Sequence, residues 1–112
     1  MKILHNPRCS KSRETLRLLE ESGKDVEIIE YLKDTPSEEE LRKVLALLGI
    51  PAEQLVRKNE GIYKENFQGK SLSEAEWIKA MITFPKLIER PVVIDGNRAV
   101  IGRPPENVKQ LL

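Results

Sequence analysis

The chain has 112 residues, enough for one domain with a single modest core. Its 33% of charged and 39% of hydrophobic residues are typical of a folded protein rather than a disordered one. A net charge of +1 and an aromatic content of 4% argue against a nucleic-acid-binding protein, which usually carries a basic stripe with interleaved aromatic residues. No apolar run approaches the roughly 18 residues of a membrane span, and the N-terminus lacks the apolar segment of a signal peptide. We therefore expect neither a nucleic-acid partner nor a membrane.

The counts of cysteine and histidine are also informative, because the chain contains one of each. One cysteine excludes an internal disulfide framework, so we expect a reducing, cytoplasmic location. It also excludes a cysteine-rich zinc site, which one histidine does little to restore. The sequence therefore implies no bound metal and no prosthetic group.

The first third of the chain predicts a strand, a helix and a second strand. The apolar run "KILH" at residues 2–5 is the first strand, and the loop "NPRC" follows it. Residues 10–22 then have the pattern of a helix that Gly23 ends. The run "VEIIEYL" at residues 26–32 is rich in β-branched and aromatic residues, which predicts the second strand.

The middle of the chain predicts helices. Ser37 followed by Glu40 forms a capping-box pattern before apolar residues with helical spacing, and Gly49 ends that helix. Ser73 and Glu76 repeat the pattern before a helix that Pro85 stops. The apolar residues of the two helices are Leu41, Val44, Leu45 and Leu48, then Trp77, Ile78, Met81 and Ile82. The intervening residues 51–72 are mixed and favour no single element.

The end of the chain predicts a hairpin and a last helix. The runs "PVVI" and "RAVI" flank Asp95, Gly96 and Asn97, a typical hairpin turn composition. "RPPENVKQLL" predicts a helix started by proline. A parallel βαβ unit joined to an antiparallel hairpin gives a four-stranded mixed sheet flanked by helices. This α/β architecture is that of thioredoxin-like folds, here as one domain over residues 1–112 with a helical insertion at roughly 34–88.

Cys9 lies between the first predicted strand and the first predicted helix. Free N–H groups and the positive end of the helix dipole favour a thiolate there. A lone cysteine is often an inert core residue, but the polar and cationic neighbours Arg8, Lys11 and Arg13 make burial in a dry core improbable. We expect Ser12 to donate a hydrogen bond to the sulfur. We treat His5 as a neighbour that modulates Cys9.

The spacing around Cys9 excludes two ways of using the thiol. A phosphatase-type loop needs an arginine six positions after its cysteine, whereas position 15 is Thr. A dithiol motif needs a second cysteine at position 12, which is Ser. Any disulfide that Cys9 forms must therefore be with another molecule.

Three sequence blocks together resemble the glutaredoxin-linked arsenate reductase family. They are "HNPRCSKSRETL", "LVRKNE" and "ERPVVIDGNRAVIGRPPENV", in the family's order and spacing across essentially the whole chain. The resemblance implies a thioredoxin-like fold with a helical insertion and a nucleophilic Cys9. It also implies that three arginines bind the oxyanion and that the proline after the second of them is cis. The oxyanion-binding residues are then Arg57, Arg90 and Arg103, and the supporting residues are His5, Asn6, Ser12 and Pro91.

The function implied by this resemblance is reduction of arsenate to arsenite, with glutathione as co-substrate and glutaredoxin as protein partner. Two alternatives remain open from the sequence. One is a general glutathione-dependent thiol oxidoreductase, and the other is a non-catalytic thioredoxin-like regulator that binds a protein partner. No self-association stripe is present, so a monomer is expected.

Overall fold

A computed structural model describes residues 1–112 and divides them into two compact units. The first unit comprises Met1–Asp34 and Arg90–Leu112, and the second is Thr35–Glu89, close to the limits of the predicted insertion. No helix is both long enough and apolar enough to cross a membrane.

The first unit contains a four-stranded mixed sheet. Its strands are β1 (Lys2–Leu4), β2 (Glu27–Ile29), β3 (Val92–Asp95) and β4 (Arg98–Ile101), in the order β2-β1-β3-β4. β1 pairs with β2 in parallel and with β3 antiparallel, and β3 and β4 form the hairpin. The predicted βαβ unit, hairpin and mixed sheet are thus confirmed, although β2 is shorter than the predicted run 26–32.

One face of this sheet supports the element that carries Cys9. Helix α1 (Ser10–Glu21) joins β1 to β2, and Gly23 follows it with a φ of +80°. The core on this face holds Ile3 and Val93 from the sheet and Leu19 from α1. Because successive strand residues point to opposite faces, the alternation of β1 directs Ile3 toward this core.

The C-terminal segment forms the predicted helix started by proline. Residues Pro105–Leu111 are a 3₁₀-helix. Its three buried residues are spaced three apart, which places them on one face of a helix with three residues per turn. They are Pro105, Val108 and Leu111, and the last two join the core formed by α1 and the sheet.

The second unit is helical. Its α-helices are α2 (Glu38–Leu48), α3 (Gly61–Asn66) and α4 (Glu74–Thr83). The predicted capping boxes at Ser37 and Ser73 are both present, and Gly49 ends α2 in the left-handed conformation with a φ of 68°. An isolated antiparallel bridge joins Val56 to Ile88.

The capping boxes predict a measurable contribution to stability. We expect Ser37→Ala and Ser73→Ala each to lower the free energy of unfolding by about 1 kcal/mol, because each change leaves a helix N–H group without its side-chain acceptor. Urea denaturation followed by circular dichroism measures this. Ser71→Ala, at an exposed position outside both helices, is the matched control. Equal stability of all three variants would contradict the assignment.

Candidate active site

The loop before α1 is a tight turn that Asn6 organises. The carbonyl of Asn6 accepts a hydrogen bond from the N–H of Cys9 at 3.0 Å, which closes a four-residue turn. Its side-chain Oδ1 accepts from the N–H of Arg8 at 3.0 Å, as in an Asx-turn. The N–H of His5 donates to Ile29 O at 2.8 Å and so fixes the start of the loop against β2. These hydrogen bonds hold the loop, and with it the backbone of Cys9, in one conformation.

Ser12 connects this loop to the first turn of α1. Its fully buried hydroxyl lies 2.7 Å from His5 Nδ1 and accepts a hydrogen bond from the N–H of Asn6 at 3.1 Å. The expectation that this hydroxyl donates to the sulfur of Cys9 is therefore wrong. The hydroxyl is directed inward, where it satisfies two buried polar groups.

Cys9 occupies the N-cap position of α1, as predicted. Its φ and ψ of −94° and 122° are those of an extended N-cap residue, and the side chain is partly exposed. The thiol makes no capping hydrogen bond of standard geometry. The backbone N–H groups of Lys11 and Ser12 nevertheless act on the sulfur and stabilise its negative charge. This combination of exposure and positive potential is typical of reactive cysteines.

Two arginines from the distant end of the sequence approach the sulfur. Arg103 Nη2 lies 3.4 Å from Cys9 Sγ, and Arg103 Nε donates to the carbonyl of Arg90 at 2.8 Å. The Arg90 side chain also acts on the Cys9 sulfur through a hydrogen bond. The Arg90–Pro91 peptide bond is cis, in agreement with the resemblance, and so is Arg103–Pro104. The structure thus brings together the predicted residues Cys9, Arg90 and Arg103.

The pKa of Cys9 lies below its ordinary value as the result of opposing effects. Partial burial alone raises the pKa of the thiol. The N–H of Ser12, the Arg90 side chain, the N–H of Lys11 and the charge of Arg103 together outweigh burial and lower it. A larger fraction of the sulfur is therefore thiolate, the nucleophilic form, than for a free cysteine at the same pH.

The basic side chains next to Cys9 in sequence are not the ones that lower its pKa. The guanidinium of Arg13 donates to the carbonyl of Pro7 at 2.9 Å, and Lys11 Nζ lies 4.0 Å from Glu14. The side chain of Arg8 is exposed. The cations that lower the pKa of Cys9 are instead Arg90 and Arg103. Proximity in sequence was the wrong guide here, because Arg13 is held by the carbonyl of Pro7 and Lys11 lies beside Glu14 instead of the sulfur.

His5 is buried and its pKa lies below the ordinary value. Burial lowers it most, and the charge of Arg13 lowers it further, against the opposing effects of Glu30 and Glu20. The imidazole is therefore neutral at neutral pH and holds Ser12 rather than adding a positive charge beside the thiolate. Its role as a modulator of Cys9 remains a prediction.

Arg57 belongs to the second unit, where a backbone hydrogen bond and two carboxylates hold it. Its N–H donates to Leu87 O at 2.7 Å, next to the bridge between Val56 and Ile88. Arg57 Nη1 donates to Glu89 Oε1 at 3.1 Å, and Nε lies 3.7 Å from Glu60 Oε1. These two carboxylates orient a largely buried guanidinium. The participation of Arg57 in oxyanion binding remains a prediction.

Two residues beside the site were not predicted to belong to it. Thr15 is fully buried on α1, and Gly102 directly precedes Arg103. The glycine before the arginine in "IGRP" was the only feature of the sequence that could have indicated a role for Gly102. A sequence does not show which atoms pack against a glycine.

No group of three or more His, Cys, Asp or Glu side chains converges as a metal site.

Comparison with known proteins places this arrangement in a family. The model of the ArsC family matches residues 4–111. The chain belongs to the ArsC family. A protein named arsenate reductase from Haemophilus influenzae is 47% identical over 112 residues, which cover 98% of this chain and 97% of the relative. The uncharacterized protein YfgD of Escherichia coli is 49% identical over 114 residues, which cover 100% of this chain and 96% of the relative.

Solved structures agree with this ArsC family assignment. A structure of an arsenate reductase from Vibrio cholerae superposes with a TM-score of 0.93 at 46% identity, covering 100% of this chain and 98% of that one. The mixed sheet and its flanking helices are therefore the thioredoxin-like fold that the sequence predicts.

The electrostatics of the site make a testable prediction. Because Arg90 and Arg103 stabilise the thiolate, Arg90→Ala and Arg103→Ala should each raise the pKa of Cys9 by about one unit. The pH dependence of iodoacetamide alkylation measures this pKa, since the thiolate is the reacting form.

Arg98→Ala is the matched control for both variants, because Arg98 is an exposed arginine of the same unit that donates to Gln110 O. Its alkylation profile should coincide with that of the unchanged protein. Profiles that coincide for all three variants would show that these arginines do not act on the sulfur.

Proposed function

We propose that the protein is an arsenate reductase that uses glutathione and glutaredoxin as electron donors. The observation that carries the proposal is the 3.4 Å approach of Arg103 to the sulfur of Cys9 at the start of a helix. The arsenate reductases among its relatives cover the chain almost completely and support the same activity.

Arsenate suits this site because it is a tetrahedral oxyanion. Guanidinium groups bind such anions through pairs of parallel N–H···O bonds. Arg90 and Arg103 would hold the oxygens while the Cys9 thiolate faces the arsenic atom. The free N–H groups at the start of α1 favour negative charge at the same point. The family resemblance adds Arg57 as a third arginine.

The first step is nucleophilic attack of the Cys9 thiolate on arsenic. A sulfur–arsenic bond forms and one arsenic–oxygen bond breaks, so that the oxygen leaves as water after protonation. Arsenic remains in the +5 state. Arg90 and Arg103 stabilise the negative charge that is concentrated on the remaining oxygens during attack.

Reduction follows through external thiols, because the chain has one cysteine. Glutathione displaces a second oxygen of the arsenic adduct as water and forms another sulfur–arsenic bond. The glutaredoxin thiolate then attacks the glutathione sulfur, which forms a disulfide and leaves an electron pair on arsenic, now in the +3 state. Water finally replaces the Cys9 sulfur on arsenic, releasing arsenite and restoring the thiol.

The test is arsenite formation from arsenate with glutathione and glutaredoxin present. Cys9→Ser should reduce the rate to background, because the serine hydroxyl is not ionised near neutral pH. Arg57→Ala should raise KM for arsenate, because it removes a charge that the resemblance assigns to the anion. Lys58→Ala, which removes an exposed lysine paired with Glu53, is the matched control.

Equal rates for Cys9→Ser and the unchanged protein would overturn the proposal. Turnover of a glutathionylated substrate without any turnover of arsenate would favour a general thiol oxidoreductase. An inactive protein that forms a stable complex with another protein would favour a regulator.

A further inference from the structure

Gly102 is a glycine of a different kind from the other five in the chain. A Cβ atom on any of those five would have no neighbour within 4 Å. A Cβ on Gly102 would lie 2.7 Å from Thr15 Oγ1, 2.9 Å from Pro91 Cγ and 3.0 Å from Thr15 Cγ2. Its φ is not in the left-handed region. The fold therefore uses the missing side chain of Gly102 and not its conformational freedom.

The neighbours of Gly102 cannot easily move aside. Thr15 is fully buried, and its hydroxyl donates to Lys11 O at 2.8 Å and lies 3.4 Å from Gly102 O. Pro91 is buried, and its carbonyl accepts a hydrogen bond from the N–H of Gly102 at 2.8 Å. A bulkier residue would therefore displace backbone rather than a flexible side-chain end.

These contacts lie next to the reactive groups in sequence. Thr15 is on α1, the helix that Cys9 caps. Pro91 follows Arg90, and Gly102 precedes Arg103. Each of the three contacting residues thus belongs to a segment that carries one group of the site.

We propose that Gly102 is a positioning residue that sets the distance between the Arg103 guanidinium and the Cys9 sulfur. Without a Cβ atom, the segment after β4 lies directly against Thr15 and Pro91, and Arg103 then reaches Cys9 Sγ at 3.4 Å and the Arg90 carbonyl at 2.8 Å. A Cβ at position 102 moves this segment away from α1. Lengthening the 3.4 Å contact with sulfur by a few tenths of an ångström weakens it. The inference deepens the proposed function, but its test requires no arsenate.

The experiment is the pH profile of Cys9 alkylation in Gly102→Ala. Gly61→Ala is the matched control, because Gly61 has open space at its Cβ position and no positive φ. We expect Gly102→Ala to raise the pKa of Cys9 by about half a unit, less than Arg103→Ala does, since it weakens the interaction with that cation without removing it. Gly61→Ala should leave the profile unchanged. A folded Gly102→Ala protein with an unchanged profile would overturn the proposal.

A double-mutant cycle separates positioning from a general loss of structure. If Gly102 acts through Arg103, Gly102→Ala should shift the pKa less in an Arg103→Ala background than in the unchanged protein. Shifts of equal size in the two backgrounds would contradict the proposed route.

A second variant keeps the test decisive if Gly102→Ala does not fold. Thr15→Ala removes two of the three close contacts and so eases folding, whereas the 2.9 Å contact with the buried Pro91 ring remains and still displaces the segment. We expect Gly102→Ala combined with Thr15→Ala to fold and to have a higher Cys9 pKa than Thr15→Ala alone. Identical pKa values would refute the proposal. Because alkylation needs no oxyanion, the failure of arsenate reduction alone would reject the proposed function and leave this inference intact.

Discussion

The approach of Arg103 to the sulfur of Cys9 is the contact on which the proposed chemistry depends. It joins residues 9 and 103, which lie at opposite ends of the sequence, at a distance of 3.4 Å. The sheet makes it possible, because β1 leads into Cys9 and lies directly beside β3, the first strand of the hairpin that leads to Arg103. Burial alone would raise the pKa of Cys9, so the arginines and the helix N–H groups decide the state of the sulfur.

Local signals in the sequence predicted the elements well. The capping boxes at Ser37 and Ser73 and the hairpin at Gly96 depend on residues within a few positions of one another, so their patterns are readable without a structure. The C-terminal helix was predicted without its type. Its apolar spacing of three suits a 3₁₀-helix, but proline at its start is compatible with both kinds.

The site was predicted less completely, and the errors have a common physical cause. The position of Cys9 at the start of α1 was predicted from the local sequence pattern. The roles of Arg90 and Arg103 were predicted from the family resemblance, because no residue near them in sequence shows that their side chains meet at Cys9. The hydroxyl of Ser12 was assigned to the sulfur because it is close in sequence, yet it satisfies His5 and Asn6 in the interior. The role of Gly102 was not predicted, because it depends on the atoms of Thr15 and Pro91 that pack against this glycine in the folded chain.

The central claim is that one thiolate starts the reaction and external thiols must complete it. The most direct measurement mixes arsenate with a stoichiometric amount of reduced protein, without glutathione or glutaredoxin, and quantifies arsenite after quenching. Glutathione and glutaredoxin are then added to the same mixture. The account predicts no arsenite from the protein alone and its release once both thiols are present. Arsenite released by the protein alone would contradict it, because without external thiols the disulfide that the two-electron reduction requires could form only between two copies of the chain.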